Sequence, residues 1–169
     1  MRIVFIGLTI ILFVLGFLWI QAEKTIYFDH QINTKIPSDV LWNELKQGIL
    51  DSGNSRIWPE VNYVETPEFK SGAKMVVTYT TPFGIKKYPY TLENIRDGRF
   101  FAYSPARGHP FTGSVTVEIF PTTAGNYLQW KGVYKYRGFS MFSLYYSMFF
   151  QKQFFTSLDE NIKKMESQV

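Results

Sequence analysis

Apolar and polar residues alternate along most of the middle of the chain. The first alternating run is mostly apolar at every second position and mostly polar between them, and its alternate positions are Ile26, Phe28, His30, Ile32, Thr34 and Ile36. Such alternation sends successive side chains to opposite faces, so the run predicts a strand with one buried face. Pro37 ends the run. The following segment carries apolar residues at helical spacing and predicts a helix, with Val40, Leu41, Leu45 and Ile49 on its buried side.

Six further strands are predicted over residues 61–66, 73–81, 85–95, 99–104, 112–120 and 126–136. Short turns with glycine or proline separate them, which favours antiparallel hairpins. Residues 51–55 predict a break, and residues 56–59 predict a short helical turn. After Gly138 no helix breaker occurs, so residues 139–166 predict one long helix.

The first residues of the chain form a different kind of segment. Residues 3–22 carry no charged side chain, and a helix of this length covers about 30 Å, the thickness of a hydrocarbon layer. They predict an uncleaved membrane anchor over residues 1–22, with a cleavable secretory signal as the alternative. Arg2 and the α-amino group predict a single-pass membrane protein whose domain, residues 23–169, lies on the extracytoplasmic side.

Charge and composition exclude some partners. The chain has 18 Lys and Arg against 14 Asp and Glu, a net charge of +4 without a block of like charges. Scattered lysines among aromatic residues could contact anionic lipid or single-stranded nucleic acid, but solvated strand faces explain them as well. We therefore expect no nucleic-acid partner. Because the chain has no cysteine, disulfides cannot stabilise it.

The order of elements, strand, helix, short helix, six strands and long helix, suggests a fold class. Together with the run Ile36-Pro37-Ser38-Asp39-Val40-Leu41-Trp42, the Trp58-Pro59 pair and Gly72 at the start of a strand, this order resembles the START-like, polyketide-cyclase (SRPBCC) superfamily over residues 25–166. The resemblance implies an α+β helix-grip fold, in which a curved antiparallel sheet of about seven strands wraps around a long C-terminal helix. It also implies a deep cavity for a hydrophobic molecule. Members range from lipid and sterol carriers to aromatase/cyclases and hormone receptors.

Strand alternation then predicts which side chains line such a cavity. The polar and aromatic candidates for ligand binding are His30, Tyr79, Tyr88, Tyr90, Tyr103, Trp130 and Tyr134. Ordinary core packing is the alternative for the tyrosines and Trp130. For His30 three roles stay open: a neutral imidazole bonded to a neighbouring strand or tyrosine, a polar anchor for the ligand, or a general base. His109, between Gly108 and Pro110, is expected in an exposed loop, with a gate at the cavity mouth as the alternative.

Aromatic residues crowd the first half of the long helix and exceed what one buried stripe needs. Phe139, Phe142, Tyr146, Phe149 and Phe150 are the candidates for membrane contact or for the cavity mouth. A thick aromatic lid over the sheet is the alternative. The expected partners are thus a hydrophobic small molecule and membrane lipid.

The common catalytic motifs do not occur in the chain. It lacks Gly-x-Ser-x-Gly, a phosphate-binding glycine-rich loop and cysteine. His30 and His109 are far apart, so no metal site is expected, and no cofactor or catalytic residue is assigned. The sequence predicts a membrane-anchored binding or transport protein for a hydrophobic or amphipathic molecule. A cyclase- or hydrolase-like enzyme using the same cavity, and a structural or interaction domain with a filled core, are the alternatives.

Overall fold

Alternating residues form strands as predicted, and in the described part of the chain seven of them pair into one antiparallel sheet. The computed structural model describes residues 2–59, 62–66, 68–138 and 141–168. The strands are β1 (Lys24–Thr34), β2 (Asn62–Glu65), β3 (Lys74–Thr81), β4 (Gly84–Arg96), β5 (Phe100–Pro105), β6 (Thr112–Thr122) and β7 (Gly125–Tyr136). The helices are α1 (Arg2–Gln21), α2 (Ser38–Leu50), α3 (Met141–Tyr145) and α4 (Gln151–Glu166), with a π-helical turn (Tyr146–Phe150) between α3 and α4.

The sheet runs in the order β1-β7-β6-β5-β4-β3-β2, so the first strand lies at one edge beside the last. Phe28 of β1 stands opposite Gly132 of β7. A Cβ at Gly132 would lie 2.4 Å from the Phe28 ring. Glycine at this position therefore leaves room for the ring on the face of the sheet that packs against the C-terminal helix. The predicted alternation agrees with the burial of β1, β3, β6 and β7, where inward residues such as Phe28, Met75, Val117 and Trp130 are buried.

The C-terminal helix, comprising α3, the π-helical turn and α4, covers this face with a single stripe. Its buried apolar and aromatic residues are Phe142, Tyr146, Phe150, Phe154, Leu158, Ile162 and Met165. Most of these lie four residues apart, and in a regular α-helix of 3.6 residues per turn such a row drifts around the axis by about 40° per step. The π-helical turn, with hydrogen bonds from residue i to i+5, takes up one extra residue and offsets this drift. Phe142 and Tyr146 therefore stay over the sheet.

The short helix after α2 is not where the sequence placed it. A 3₁₀ turn forms at Ser52–Asn54, in the predicted break, and residues 56–59 are not helical. The physical reason is a side-chain cap: the Asp51 carboxylate accepts a hydrogen bond of 3.2 Å from the Gly53 N–H and starts the turn. The predicted start of the second strand, Val61, lies outside the described residues.

The membrane span predicted for residues 3–22 is wrong. Among the residues that the structure describes, no helix combines the length and the apolar character that crossing a bilayer requires. The single-pass, extracytoplasmic placement of the following domain depended on this span and is withdrawn with it.

Candidate ligand-binding cavity

A small cavity lies between the sheet and the C-terminal helix, where the resemblance implied a deep one. Its volume is about 30 Å³, and it is lined by Phe28, Met75, Val77, Tyr79, Tyr90, Tyr103, Trp130, Tyr134, Tyr146, Phe150, Gln151, Phe154 and Phe155. Ligand pockets usually measure about 300–1,000 Å³. The interior is therefore nearly filled, because the aromatic rings of the C-terminal helix project into the space that the sheet encloses.

The cavity wall is formed by the inward-facing side chains of the strands and by the side chains of the C-terminal helix that face the sheet. Tyr79 ends the inward row of β3, Tyr90 and Tyr103 follow on β4 and β5, and Trp130 and Tyr134 lie four residues apart on β7. The π-helical turn supplies Tyr146 and Phe150 from above.

The polar atoms of this wall form a cluster of hydroxyl groups. Tyr79 and Tyr90 share a hydrogen bond of 2.6 Å between their Oη atoms. The Trp130 Nε1–H donates to the Tyr103 Oη at 3.1 Å. The hydroxyl group of Tyr134 hydrogen-bonds those of Tyr103 and Tyr146, and this interaction lowers the pKa of both phenols against the larger effect of burial. Five phenols and one indole N–H thus surround the cavity.

These phenols are neutral at physiological pH. Burial raises the pKa of Tyr79, Tyr90, Tyr103, Tyr134 and Tyr146 above the ordinary value, because the phenolate would lose its hydration. None of the described lining residues is Asp, Glu, Lys or Arg. The wall therefore presents uncharged hydrogen-bond donors and acceptors in an apolar surround.

Five of the seven predicted binding residues line this cavity: Tyr79, Tyr90, Tyr103, Trp130 and Tyr134. Tyr88 lies beside it, with its ring centroid 4.5 Å from that of Phe142. His30 lies outside. Contact of any of these side chains with a ligand stays a prediction.

His30 joins the edge strand β1 to α4. Its Nε2 lies 2.7 Å from Asp159 Oδ1, and its ring stacks on Phe155 at 4.4 Å. A hydrogen-bonded imidazole was one of the roles left open, but the partner is a carboxylate of the helix rather than a strand or a tyrosine. No local pattern indicates this pair, because its members are 129 residues apart. Both border a shallow surface groove of about 350 Å³.

The aromatic residues predicted for membrane contact or for the cavity mouth divide into two groups. Phe142, Tyr146 and Phe150 are buried against the sheet, with the Phe150 and Tyr79 ring centroids 4.9 Å apart. Phe149 is 57% exposed. Phe139 lies outside the described residues. The buried group forms the roof of the cavity, in line with the aromatic lid named as the alternative.

The expectation that His109 is exposed is wrong. Its ring centroid lies 4.6 Å from that of Tyr90 and 4.8 Å from that of Tyr88. Nδ1 accepts a hydrogen bond of 3.0 Å from the Phe111 N–H, while Nε2 is buried and has no partner among the described residues. Gly108 and Pro110 correctly indicate a loop, but the local sequence does not show that this loop folds its imidazole inward.

The burial of His109 predicts a pH-dependent stability. Burial lowers the pKa of His109 from 6.5 to about 4, because the charged imidazolium would lose its hydration. The unfolded chain then binds more protons than the folded one between these values, so stability is complete above pH 6.5 and falls as the pH drops toward 4. We expect a loss of about 2–3 kcal/mol over this range.

Urea unfolding at pH 7.0 and 4.5, compared between the protein and His109→Gln, measures this effect. The variant should lose less stability on acidification than the parent, since its amide does not titrate. An identical pH dependence in both proteins would contradict a neutral, buried His109.

A larger groove of about 540 Å³ lies on the far side of Trp58. Its wall is about half polar and includes Arg56, Asn161 and Lys164. Trp58 separates this groove from the central cavity, because its ring also packs on Trp130 at 5.2 Å between centroids. The Trp58 Nε1–H is buried without a partner among the described residues. No group of three or more His, Cys, Asp or Glu in the described part of the chain could hold a metal ion.

Comparison with known proteins identifies the fold. No protein-family model matches the chain, and no curated protein matches it. Among solved structures, an uncharacterised protein from Rhizobium leguminosarum aligns with a TM-score of 0.62 at 8% identity, over 85% of this chain and 97% of that one. Ara h 8.0201 aligns with a TM-score of 0.53 at 10% identity, over 83% and 99%.

A third similar structure is the di-domain ARO/CYC StfQ from the steffimycin biosynthetic pathway. It aligns with a TM-score of 0.62 at 12% identity, over 86% of this chain and 53% of StfQ, so the chain spans about half of that protein. At such identities the likeness concerns the fold alone. The seven-stranded antiparallel sheet with its long C-terminal helix is therefore an α+β fold of the helix-grip type.

Proposed function

We propose that the protein binds a hydrophobic or amphipathic small molecule between the sheet and the C-terminal helix. The observation that supports this most directly is the cluster of five tyrosine hydroxyls around the central cavity. A domain that only needed a core would fill this place with aliphatic side chains, since each buried hydroxyl must find a hydrogen-bond partner. The fold shared with the ARO/CYC protein StfQ is consistent with the proposal.

Binding requires the cavity to open, because about 30 Å³ holds no organic molecule. The π-helical turn is the element that can yield. Its inward residues Tyr146 and Phe150 close the cavity, while its outward residues Met148 and Phe149 are 58% and 57% exposed. Single π-helical turns are rare and often lie at functional sites. A change of this turn that moves Phe150 aside would enlarge the cavity without disturbing the sheet.

The mechanism we propose is passive. Burial of the ligand's apolar surface supplies affinity at about 25 cal/mol per Å², reduced by the cost of ordering the ligand and opening the roof. The tyrosine hydroxyls orient its polar end. No described residue of the cavity is arranged as a nucleophile with an adjacent base, so turnover is not part of the proposal.

The small cavity volume favours a second candidate, a structural or interaction domain with a filled core. The two candidates differ in one measurable property, which is whether the closed interior admits an apolar probe.

A matched pair of substitutions on β3 tests the proposal. Val77 is buried in the cavity wall, whereas its neighbour Val76 points to the opposite face. We expect Val77→Phe to weaken binding of the neutral fluorophore N-phenyl-1-naphthylamine at least about tenfold, because the added ring occupies the ligand's place. Val76→Phe should bind like the parent. Fluorescence titration measures both affinities.

Thermal unfolding of each variant checks that the fold persists, and Val77→Ile serves as a milder filling change. Failure of the parent protein to bind the fluorophore would favour the filled-core candidate. Equal affinities of Val77→Phe and the parent protein would mean that the fluorophore binds outside this cavity, which would contradict the proposal.

A further inference from the structure

The chemistry of the cavity wall narrows the kind of molecule that it can hold. Its described lining contains no acidic or basic side chain, and its polar groups are the five phenols, the indole N–H of Trp130 and the amide of Gln151. Lys152, the neighbour of Gln151, borders surface grooves instead of the cavity. A charged ligand group inside would thus find no counter-ion.

The hydroxyl cluster has unused hydrogen-bonding capacity. Tyr79 and Tyr90 carry two hydroxyl hydrogens, of which only one lies in the bond between their oxygens. The Tyr103 oxygen accepts from Trp130, and its hydroxyl group also hydrogen-bonds that of Tyr134. A ligand hydroxyl could both donate to and accept from this cluster, and a carbonyl oxygen could accept from two phenols.

The remainder of the wall consists largely of rings. Trp130 and Phe154 meet edge to face at 5.2 Å, and Phe154 and Phe155 do so at 5.4 Å. Flat aromatic bodies pack well in such surroundings, in offset or edge-to-face arrangements.

We infer that the ligand is an uncharged aromatic molecule bearing a hydroxyl or carbonyl oxygen, and that this oxygen lies among Tyr79, Tyr90 and Tyr103. The inference rests on the proposed function and deepens it. A carboxylate is disfavoured because its charge would be buried without compensation. An ammonium group could lie over ring faces, but it would leave the convergent hydroxyl hydrogens without an acceptor.

Four probes with one common ring system test the inference: naphthalene, 2-naphthol, 2-naphthoate and the (2-naphthylmethyl)trimethylammonium ion. Calorimetric or fluorescence titration at pH 7 gives their affinities for the full chain. We expect 2-naphthol to bind about 100-fold more tightly than 2-naphthoate, and about three- to tenfold more tightly than naphthalene.

Removal of the hydroxyls tests the position of the oxygen. The double substitution Tyr79→Phe with Tyr90→Phe removes both hydroxyls of the bonded pair and keeps the rings, so naphthalene should bind as before while the preference for 2-naphthol disappears. Tyr27→Phe, at a side chain that is 75% exposed, is the matched control and should leave the preference unchanged. If the double variant fails to fold, Tyr103→Phe measures the same loss at the neighbouring hydroxyl.

The results distinguish a failure of the proposed binding function from a failure of the inference about the ligand's chemistry. Binding of none of the four probes would overturn the proposed function itself. Equal affinity for 2-naphthol and for either charged probe would leave a binding cavity but overturn the inference that its ligand is uncharged. A preference for 2-naphthol that survives in the double variant would overturn the position assigned to the oxygen.

Discussion

Replacement of Trp130 by alanine is expected to lower the free energy of unfolding by about 3–5 kcal/mol. Trp130 is 2% exposed and lies between Trp58 and Phe154, with both centroid distances 5.2 Å. The loss has two parts, the transfer of the removed indole and the void left behind. The truncation also removes the donor to Tyr103. Urea unfolding followed by far-UV circular dichroism measures the change.

A control on the same strand separates this effect from a general weakening of β7. Tyr127 lies on the opposite face and stacks on Phe120 at 4.5 Å. Tyr127→Ala should cost only about 1 kcal/mol, the value of a cross-strand pair. Trp130→Phe should recover part of the loss because it refills much of the void. A cost below about 1 kcal/mol for Trp130→Ala would mean that the interior relaxes around the void and is not closely packed.

Replacement of Gly113 by alanine is expected to cost about 3 kcal/mol or more, by steric conflict rather than by lost packing. Gly113 has a φ of +122° and pairs with Tyr134 across the β6–β7 ladder. An added Cβ would lie 2.0 Å from the Val133 carbonyl oxygen. Since this neighbour is backbone, no side-chain rotation can relieve the contact. The strands would have to separate beside the cavity residue Tyr134.

Gly98→Ala provides the comparison for this second prediction. Gly98 has a φ of +77°, but nothing lies within 4 Å of the place that an added Cβ would take. Its substitution therefore measures the backbone strain alone, about 1–2 kcal/mol. Similar losses at the two glycines would show that β6 and β7 adjust to the added methyl group, against the expectation. Thermal and urea unfolding of both variants decide between these results.

The predicted sheet agrees with the structure because its signal is local. The inward positions of Tyr79, Tyr90, Tyr103, Trp130 and Tyr134 follow from a period of two, and the antiparallel pairing follows from short turns. Five of the predicted binding residues consequently meet at one cavity. The single long helix was also indicated, because no helix breaker follows Gly138.

Other features depend on groups that are distant along the chain. The His30–Asp159 hydrogen bond joins an edge strand to the final helix, and no local pattern contains both partners. The inward turn of His109 depends on the rings of Tyr88 and Tyr90. The predicted membrane span was read from hydropathy over residues 3–22, and no described helix meets the requirements for crossing a bilayer.

The sequence by itself determined the order of the elements, the face that each strand buries and the aromatic, uncharged character of the interior, because these properties reside in residue type and spacing. Only the tertiary structure decided how much space remains inside. That space is a small difference between the volume enclosed by the sheet and the volume of the rings that enter it. The π-helical turn sets the direction in which Phe150 and its neighbours project. The remaining space therefore depends on side-chain packing and cannot be read from the spacing of residue types along the chain.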